Sequence, residues 1–321
     1  MTTTDVRWGF IGAGNIARTA LAPAVHAAIG ARLEAVAARD AGRARALSPS
    51  GAAYDSYEAL VLDPNVDAVY ISLNNDLHAP WTIRALEAGK HVLCEKPLGL
   101  DSAEVAQMTD AAAAADRLLV EATWNRWHPR TQRAHALIQS GLIGAVTEVT
   151  SGFVVGGADP TNFRSLPNGG GALYDLGCYN IVASMWTTGG SVPVIENATQ
   201  RLNEHGVDLE TQARFQLGGA TVLLECAMDR PAAQWLSITG TLGSIDFAQD
   251  AIMSRNSPST LTIVDEKGSR VEHFAPVDPY TVMVEHVSAA IRGEAAYLPP
   301  SSQSAEMTAI LEAIREAASP V

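Results

Sequence analysis

The first third of the chain alternates short apolar runs, rich in β-branched residues, with longer Ala- and Leu-rich runs at helical spacing. This alternation is typical of βαβ units and predicts a parallel sheet with helices packed against it. Asp101 is placed to cap one helix, and Gly30 and Gly89 are placed to end two others. We predict strands at 6–11, 32–38, 68–73, 91–94 and 118–121, and helices at 17–28, 41–47, 57–62, 79–88 and 101–115.

The pattern changes after residue 122, where glycines and aromatic residues become more frequent and the strict alternation stops. Short strands joined by glycine turns predict a mostly antiparallel sheet with one helix at 171–186. The tail 279–318 returns to helical spacing, and packing back on the first domain is one arrangement open to it. The predicted strands are 146–155, 194–201, 208–217, 220–228, 234–239, 243–248 and 261–264.

We therefore predict two domains, residues 1–122 and 123–321, in agreement with the length of 321 residues. Hydrophobic residues make up 47% of the chain and charged residues 18%, which favours well-packed cores. The net charge of −13 disfavours nucleic acid and anionic membranes as partners. Three widely spaced cysteines suit neither a disulfide framework nor a metal site, and no apolar run resembles a signal peptide or membrane span. We expect a cytoplasmic protein.

The segment Gly12-Ala13-Gly14-Asn15-Ile16-Ala17 directly follows the first predicted strand and opens the first helix. It fits the G-x-G-x-x-G/A pattern, in which the glycines allow a tight turn and close approach of a pyrophosphate. A plain β-to-α turn is the alternative. In a βαβ context, the motif favours a dinucleotide-binding Rossmann domain.

The end of the second strand bears on the choice of dinucleotide. An acidic residue about 20 residues past the fingerprint accepts hydrogen bonds from the ribose hydroxyls of NAD. Here Ala38 ends the strand and Arg39 follows, which favours the 2′-phosphate of NADP, with Arg43 and Arg45 adding positive potential. NAD stays open, because Asp40 can take the ribose role and the arginines can simply be solvated.

Lysine is rare in this chain, with only Lys90, Lys96 and Lys267, although arginine is common. Lys96 follows a predicted strand at its carboxyl end, the edge where open α/β sheets bind ligands. A lysine desolvated there can exchange a proton near neutrality, which arginine cannot. An exposed loop lysine is the structural alternative.

A glycine-rich stretch, 169–171, precedes a helix that carries Asp175 and Tyr179 four residues apart. This spacing places a carboxylate and a phenol on one helical face. A carboxylate can hold sugar hydroxyls, and a phenol can pass a proton to an oxygen undergoing redox change. A purely structural pair on an amphipathic helix is the alternative.

Together, four segments resemble the glucose-fructose oxidoreductase / inositol dehydrogenase / MocA family over almost the whole chain. They are the fingerprint, residues 70–78, Glu95-Lys96-Pro97 and the Gly-Gly-Gly-Ala-Leu-x-Asp-x-Gly-x-Tyr stretch. Residues 92–97 and 121–126 are most similar to the branch with dimeric dihydrodiol dehydrogenase, D-xylose dehydrogenase and 3-ketosugar reductases. Two positions depart from the family pattern: Tyr179 stands where many members have histidine, which makes an inositol dehydrogenase less favoured, and Asn74 stands where proline is usual.

The resemblance implies hydride transfer between NAD(P) and a carbinol or carbonyl carbon of a sugar or related polyol. It implies an N-terminal Rossmann domain and a C-terminal α+β domain whose large, mostly antiparallel open sheet forms a homodimer or homotetramer. Lys96 would lie near the nicotinamide and reacting oxygen, Asp175 would hold substrate hydroxyls, and Tyr179 would be the principal acid/base. The expected cofactor contacts are Gly12, Gly14, Asn15, Ile16, Arg39, Leu73, Asn75, His78, Glu95, Lys96, Trp124 and Arg126.

Several alternatives stay open within this resemblance. Arg164 either reaches the substrate or lies at the surface, and His128 either faces the substrate or is structural. The reaction is either that of a sugar dehydrogenase or that of a trans-dihydrodiol dehydrogenase or 3-keto-deoxysugar reductase. A cofactor-sensing regulator on the same fold would be expected to lose Lys96 or Tyr179, and both are present.

Overall fold

The computed structural model describes residues 5–157, 159, 161–247 and 250–321, which form two compact units. The first unit is the chain up to Trp127 together with Asp278–Ser301. The second is His128–Val277 together with Ser302–Val321. Part of the predicted helical tail, including Pro279–Ile291, therefore belongs to the first unit.

The described residues of the first unit form a six-stranded sheet in which every pairing is parallel, in the order β3-β2-β1-β4-β5-β6. This confirms the Rossmann sheet predicted from the alternating pattern. The short strand β3 was not predicted, because two of its three residues are alanine. The strands are β1 (Val6–Ile11), β2 (Ala31–Ala37), β3 (Ala52–Tyr54), β4 (Ala68–Ile71), β5 (His91–Cys94) and β6 (Leu119–Glu121).

The second unit contains a mixed, mostly antiparallel sheet of nine described strands, in the order β14-β13-β12-β11-β7-β10-β9-β8-β15. The pairs β7/β10 and β8/β15 are parallel, and the other pairs are antiparallel. The strands are β7 (Val146–Val154), β8 (Val194–Leu202), β9 (Asp208–Leu217), β10 (Ala220–Ala227), β11 (Ala233–Gly240), β12 (Ser244–Phe247), β13 (Ser259–Asp265), β14 (Gly268–Phe274) and β15 (Ser319–Pro320).

Strands β14 and β15 were not predicted, and residue 248, the last of the predicted strand 243–248, lies outside the described residues. The helices are α1 (Ala22–Ala27), α2 (Ala41–Arg45), α3 (Tyr57–Val61), α4 (His78–Glu87), α5 (Ser102–Ala115), α6 (Pro129–Gln139), α7 (Cys178–Thr188), α8 (Pro279–Ile291) and α9 (Gln303–Ala317).

Local chemistry accounts for several helix boundaries. The Asp101 carboxylate accepts a hydrogen bond from the Glu104 N–H at 2.8 Å and caps α5, as predicted. Gly89 has φ of +78° and directly follows the C-cap of α4, as expected for a residue that ends a helix. Gly30 has φ of +74°, but α1 ends before it, where Ala28 takes an extended backbone conformation. Helix α6 was missed, although Pro129 stands at its first position, where proline is favoured.

Two helices begin with a π-helical turn. Ala17–Leu21 precedes α1, and Leu173–Gly177 precedes α7. Each turn follows one of the two glycine motifs picked out from the sequence, and π-helical turns are frequent at functional sites. In the described part of the chain, no helix is long and apolar enough to cross a membrane.

Candidate active site

The glycine fingerprint forms the turn after β1. Gly12 has φ of +101°, and a Cβ at this position would collide with the Ser72 carbonyl oxygen, so only glycine fits. The Gly12 N–H donates to the Ala37 carbonyl at 2.9 Å, and the Ser72 N–H donates to the Ile11 carbonyl at 2.9 Å. The turn is therefore fixed between the ends of β2 and β4, where the strand order reverses.

Gly14, Asn15 and Ile16 complete this turn. A Cβ at Gly14 would meet nothing closer than the Ser72 carbonyl oxygen at 4.0 Å, so the missing side chain leaves open space beside the backbone. The Asn15 side-chain oxygen accepts from the Arg18 guanidinium at 3.0 Å. An open glycine at the start of a helix is the arrangement that admits a pyrophosphate, so this turn fits the expected dinucleotide.

The segment after β2 holds one exposed arginine and one engaged carboxylate. Arg39 is exposed, whereas Asp40 caps α2 by accepting from the N–H groups of Gly42 at 2.6 Å and Arg43 at 3.4 Å. The Arg43 guanidinium donates to the Ala13 carbonyl in the glycine turn at 2.8 Å. Arg43 thus brings positive charge from α2 to the fingerprint, and Asp40 is occupied by its own helix.

His78 joins two loops at the carboxyl edge of the first sheet. Its Nδ1 lies 2.8 Å from the Pro97 carbonyl oxygen, and its Nε2 lies 3.3 Å from the Leu73 carbonyl oxygen. The ring is fully buried, and desolvation lowers the pKa of His78. Asn75 is also buried and begins the 3₁₀ turn Asn75–Leu77, which lies between Leu73 and His78 along the chain. His78 therefore fixes the backbone of the Lys96-Pro97 turn.

The Glu95-Lys96-Pro97 motif directly follows β5. The Tyr70 hydroxyl donates to the Glu95 carboxylate at 2.7 Å in the buried interior, and the Lys96 N–H lies 3.3 Å from the other carboxylate oxygen. Lys96 is half-buried, and the Lys96-Pro97 peptide bond is cis. Burial and the neighbouring Glu95 charge hold the pKa of Tyr70 well above its usual value, so Tyr70 stays a hydrogen-bond donor.

Trp124 and Arg126 lie in a 3₁₀ turn after β6, Trp124–Trp127. The Trp124 ring is fully buried and stacks on Tyr280 of α8 at 4.8 Å between ring centroids. Arg126 is 2% exposed, and desolvation lowers its pKa, with the neighbouring Tyr297 opposing this shift. All the predicted cofactor contacts thus belong to the first unit.

The second unit carries the other three predicted residues. Asp175 lies in the π-helical turn and is 9% exposed, and Tyr179 follows in α7 at 4% exposure. The Tyr179 ring packs edge-on against Phe153 of β7, with centroids 5.7 Å apart. Arg164 lies in the 3₁₀ turn Phe163–Ser165, and its Nε is 3.2 Å from the Asp175 Oδ2. Arg164 and Asp175 are therefore brought together.

His128, left undecided by the sequence, caps α6. Its Nδ1 accepts from the Arg130 N–H at 3.0 Å, which assigns the ring hydrogen to Nε2. Burial and the Arg130 charge lower the pKa of His128 to about 4. This residue has a structural role, whatever else it contacts.

Sequence reasoning did not identify the side chains that support the predicted residues. Tyr70 contacts Glu95, and Tyr280 contacts Trp124. Asp208 contacts the start of the helix that carries Asp175. Each contact joins residues distant along the chain, so no local pattern marks it.

Comparison with known proteins extends over both units. Residues 6–123 match the model of an oxidoreductase family with an NAD-binding Rossmann fold, and residues 131–246 match that of the GFO/IDH/MocA C-terminal domain. Over 319 residues, the chain is 34% identical to D-xylose 1-dehydrogenase (NADP(+)) 2 of Haloferax volcanii, with 97% of each chain covered.

Two further similarities cover most of the chain. It is 32% identical over 282 residues to trans-1,2-dihydrobenzene-1,2-diol dehydrogenase of Mus musculus, covering 85% of this chain and 81% of that one. The fold is similar to KijD10, a 3-ketoreductase from Actinomadura kijaniata in complex with NADP and TDP-benzene. The TM-score is 0.91 at 25% identity, over 99% of each chain.

Proposed function

Because this chain belongs to the GFO/IDH/MocA family of NAD(P)-dependent oxidoreductases, we propose that it transfers a hydride between NADP and a carbinol or carbonyl carbon of a sugar or related polyol. The observation that carries this proposal is the ion pair between Arg164 and Asp175, because Asp175 lies on the helix that also bears Tyr179. A carboxylate and a guanidinium side by side offer an acceptor and donors to neighbouring hydroxyls. A phenol further along the same helix offers a proton.

The first unit is suited to hold the cofactor. The open space at Gly14 and the turn at Gly12 fit a pyrophosphate at the start of the first helix. When bound, the nicotinamide cofactor donates or accepts the hydride. We assign the remaining contacts to Asn15, Ile16, Arg39, Leu73, Asn75, His78, Glu95, Lys96, Trp124 and Arg126, with His78 acting through the backbone of residues 73 and 97.

We propose NADP rather than NAD as the preferred cofactor. Arg39 is exposed at the end of β2, where a guanidinium can bind a 2′-phosphate, and Arg43 adds charge at the Ala13 carbonyl. Asp40, the residue that would favour NAD, is engaged as the cap of α2. Two of the similar proteins, from Haloferax and Actinomadura, are named with NADP.

The proposed proton chemistry belongs to the chain's own side chains. The Tyr179 hydroxyl gives a proton to the substrate carbonyl oxygen during reduction and takes it back during oxidation. The Lys96 ammonium supplies positive charge near the nicotinamide and the reacting oxygen. Asp175 accepts hydrogen bonds from substrate hydroxyls, and Arg164 balances its charge.

A substrate panel tests this proposal. Free aldoses, polyols, nucleotide-linked ketosugars and trans-dihydrodiols are each incubated with NADP(H) and with NAD(H), and nicotinamide absorbance is followed in both directions. We expect turnover of at least one aldose or polyol with NADP. Absence of turnover for every sugar and polyol on the panel would contradict the proposal.

The same panel tests the two alternative functions, a trans-dihydrodiol dehydrogenase and a reductase of nucleotide-linked ketosugars. Similarity to the mouse enzyme favours a trans-dihydrodiol dehydrogenase, and similarity to KijD10 favours a reductase of nucleotide-linked ketosugars. A higher kcat/KM on either class than on free aldoses would assign the chain to it.

We also propose a homodimer or homotetramer formed through the sheet of the second unit. On β7, Val149, Ser151 and Phe153 are buried, and Thr150, which points to the opposite face, is half-buried. On this second face, the Trp235 ring of β11 lies over Gly152, where a Cβ would collide with it. Light scattering should give the mass of a dimer or tetramer, and Trp235→Arg should lower that mass.

A further inference from the structure

Asp208 is a buried acidic residue at the first position of β9. It has no role in the reaction proposed above. Its Oδ2 accepts hydrogen bonds from the Leu173 N–H at 2.8 Å and from the Thr211 hydroxyl at 2.7 Å. The Ala172 N–H also bonds this carboxylate. Burial raises the pKa of Asp208, and these hydrogen bonds oppose that rise.

The two N–H groups that donate to Asp208, those of Ala172 and Leu173, stand at the start of the helix that carries Asp175. The first N–H groups of a helix have no partner within the helix, and this helix start is buried. A carboxylate there satisfies them and interacts favourably with the positive end of the helix. Asp208 thus caps the helix from a distance of 35 residues along the chain.

The glycine stretch before this helix is matched to Asp208. Gly171 has φ of +122°, and a Cβ there would collide with the Asp208 Oδ1. The Gly171 N–H donates to the Arg164 carbonyl at 2.8 Å, and the Gly170 N–H donates to the Leu166 carbonyl at 3.1 Å. The same short stretch therefore sets both the Arg164 backbone and the start of the helix.

We propose that Asp208 is a positioning residue for substrate recognition, because it fixes the first helical turn and with it the Asp175 carboxylate beside Arg164. This inference rests on the proposed function of Asp175. Asp175 lies two residues after Leu173, within the π-helical turn, whereas Tyr179 lies in α7 and is packed against Phe153. A loosened first turn therefore displaces Asp175 more than Tyr179.

Steady-state kinetics of Asp208→Ala, Asp208→Asn and the control Asp101→Asn test this inference. Asp101 caps α5, which carries none of the proposed site residues. We expect Asp208→Ala to raise the KM for the sugar substrate about tenfold, because its helix start loses the carboxylate, while kcat and the Kd of NADPH change by less than about threefold. Asp208→Asn keeps one acceptor oxygen and should raise KM about threefold, as for partial loss of a cap. Asp101→Asn should leave KM unchanged.

Three outcomes would overturn the inference: a wild-type KM in both Asp208 variants, a fall in kcat as large as the rise in KM, or an equal rise in KM for Asp101→Asn. If the alanine variant does not fold, the asparagine variant decides in the same way. Hydrogen exchange of residues 172–177 supplies a readout without substrate, and we expect faster exchange in the Asp208 variants only. A wild type inactive on the panel would contradict the proposed function, whereas unchanged exchange would contradict the positioning role.

Discussion

The Nε of Arg164 lies 3.2 Å from the Oδ2 of Asp175, and the two side chains differ strongly in exposure. Half of the Arg164 side chain is exposed, compared with 12% of the Asp175 side chain. The pair therefore presents a nearly buried carboxylate whose charge is balanced from the solvent side. An ion pair whose guanidinium is half exposed to solvent contributes little to stability, so its main effect is expected on the orientation of the carboxylate.

We predict that Arg164→Ala raises the KM for the sugar substrate about tenfold with a smaller change in kcat, because Asp175 loses the partner that orients it. Steady-state kinetics at saturating NADPH measure both constants. The matched control is Arg133→Ala, which removes another surface arginine of the second unit, paired with Glu272 at 2.8 Å. Equal kinetics for the two variants would show that the Arg164 pair is only structural.

A second prediction concerns proton transfer. Tyr179→Phe removes the hydroxyl and Lys96→Met removes the ammonium, and each should lower kcat at least about 100-fold, the scale of general acid–base catalysis. Fluorescence titration should still show NADPH binding to both variants. Tyr174→Phe, which removes a hydroxyl that contacts Arg315 at 2.6 Å, is the control and should retain most activity. Near-normal turnover in both Tyr179→Phe and Lys96→Met would contradict the assignment of these residues.

A third prediction concerns cofactor choice. Arg39→Ala should weaken NADPH binding about tenfold and leave NADH binding nearly unchanged, because only NADPH has the 2′-phosphate. Arg32→Ala at the opposite end of β2 is the control, since Arg32 pairs with Glu34. Calorimetric titration of both nucleotides measures the ratio. Tighter binding of NADH than NADPH by the wild type would overturn the interpretation of this strand end.

The strands and helices of the first unit could be predicted closely because the hydrophobic spacing of a strand and that of a helix are both local patterns in the sequence. Strand β1 and helix α5 have the bounds expected from apolar spacing and from the Asp101 cap, within one residue. The family resemblance, and with it the order of motifs along the chain, could also be found from the sequence. These features depend on residues within a few positions of one another.

Other features depend on contacts between distant residues. Lys90, which the sequence did not explain, is 8% exposed and donates at 2.7 Å to the carbonyls of Asp63 and Val66, more than 20 residues away. The fit of Gly171 to Asp208 is of the same kind. The π-helical turns could not be predicted from the sequence either, because apolar spacing over five residues does not distinguish a π-helical turn from an α-helical turn.

The last prediction concerns His128 and the pH dependence of stability. Its pKa is lowered from 6.5 to about 4 by burial and by the Arg130 charge, and its Nδ1 can accept the Arg130 N–H only while unprotonated. Between these two pH values, the unfolded chain binds a proton that the folded chain does not. The free energy of unfolding should therefore fall as the pH drops through this window.

His128→Asn should flatten this dependence, because asparagine also caps helices but does not titrate. Denaturant unfolding across the window measures the slope, and the control is His205→Asn, whose imidazole is exposed in the same unit. The control should keep the wild-type slope, since it leaves the buried His128 ring and its hydrogen bond with the Arg130 N–H in place. A wild-type slope in His128→Asn would show that the cap of α6 is not the group that loses stability in acid.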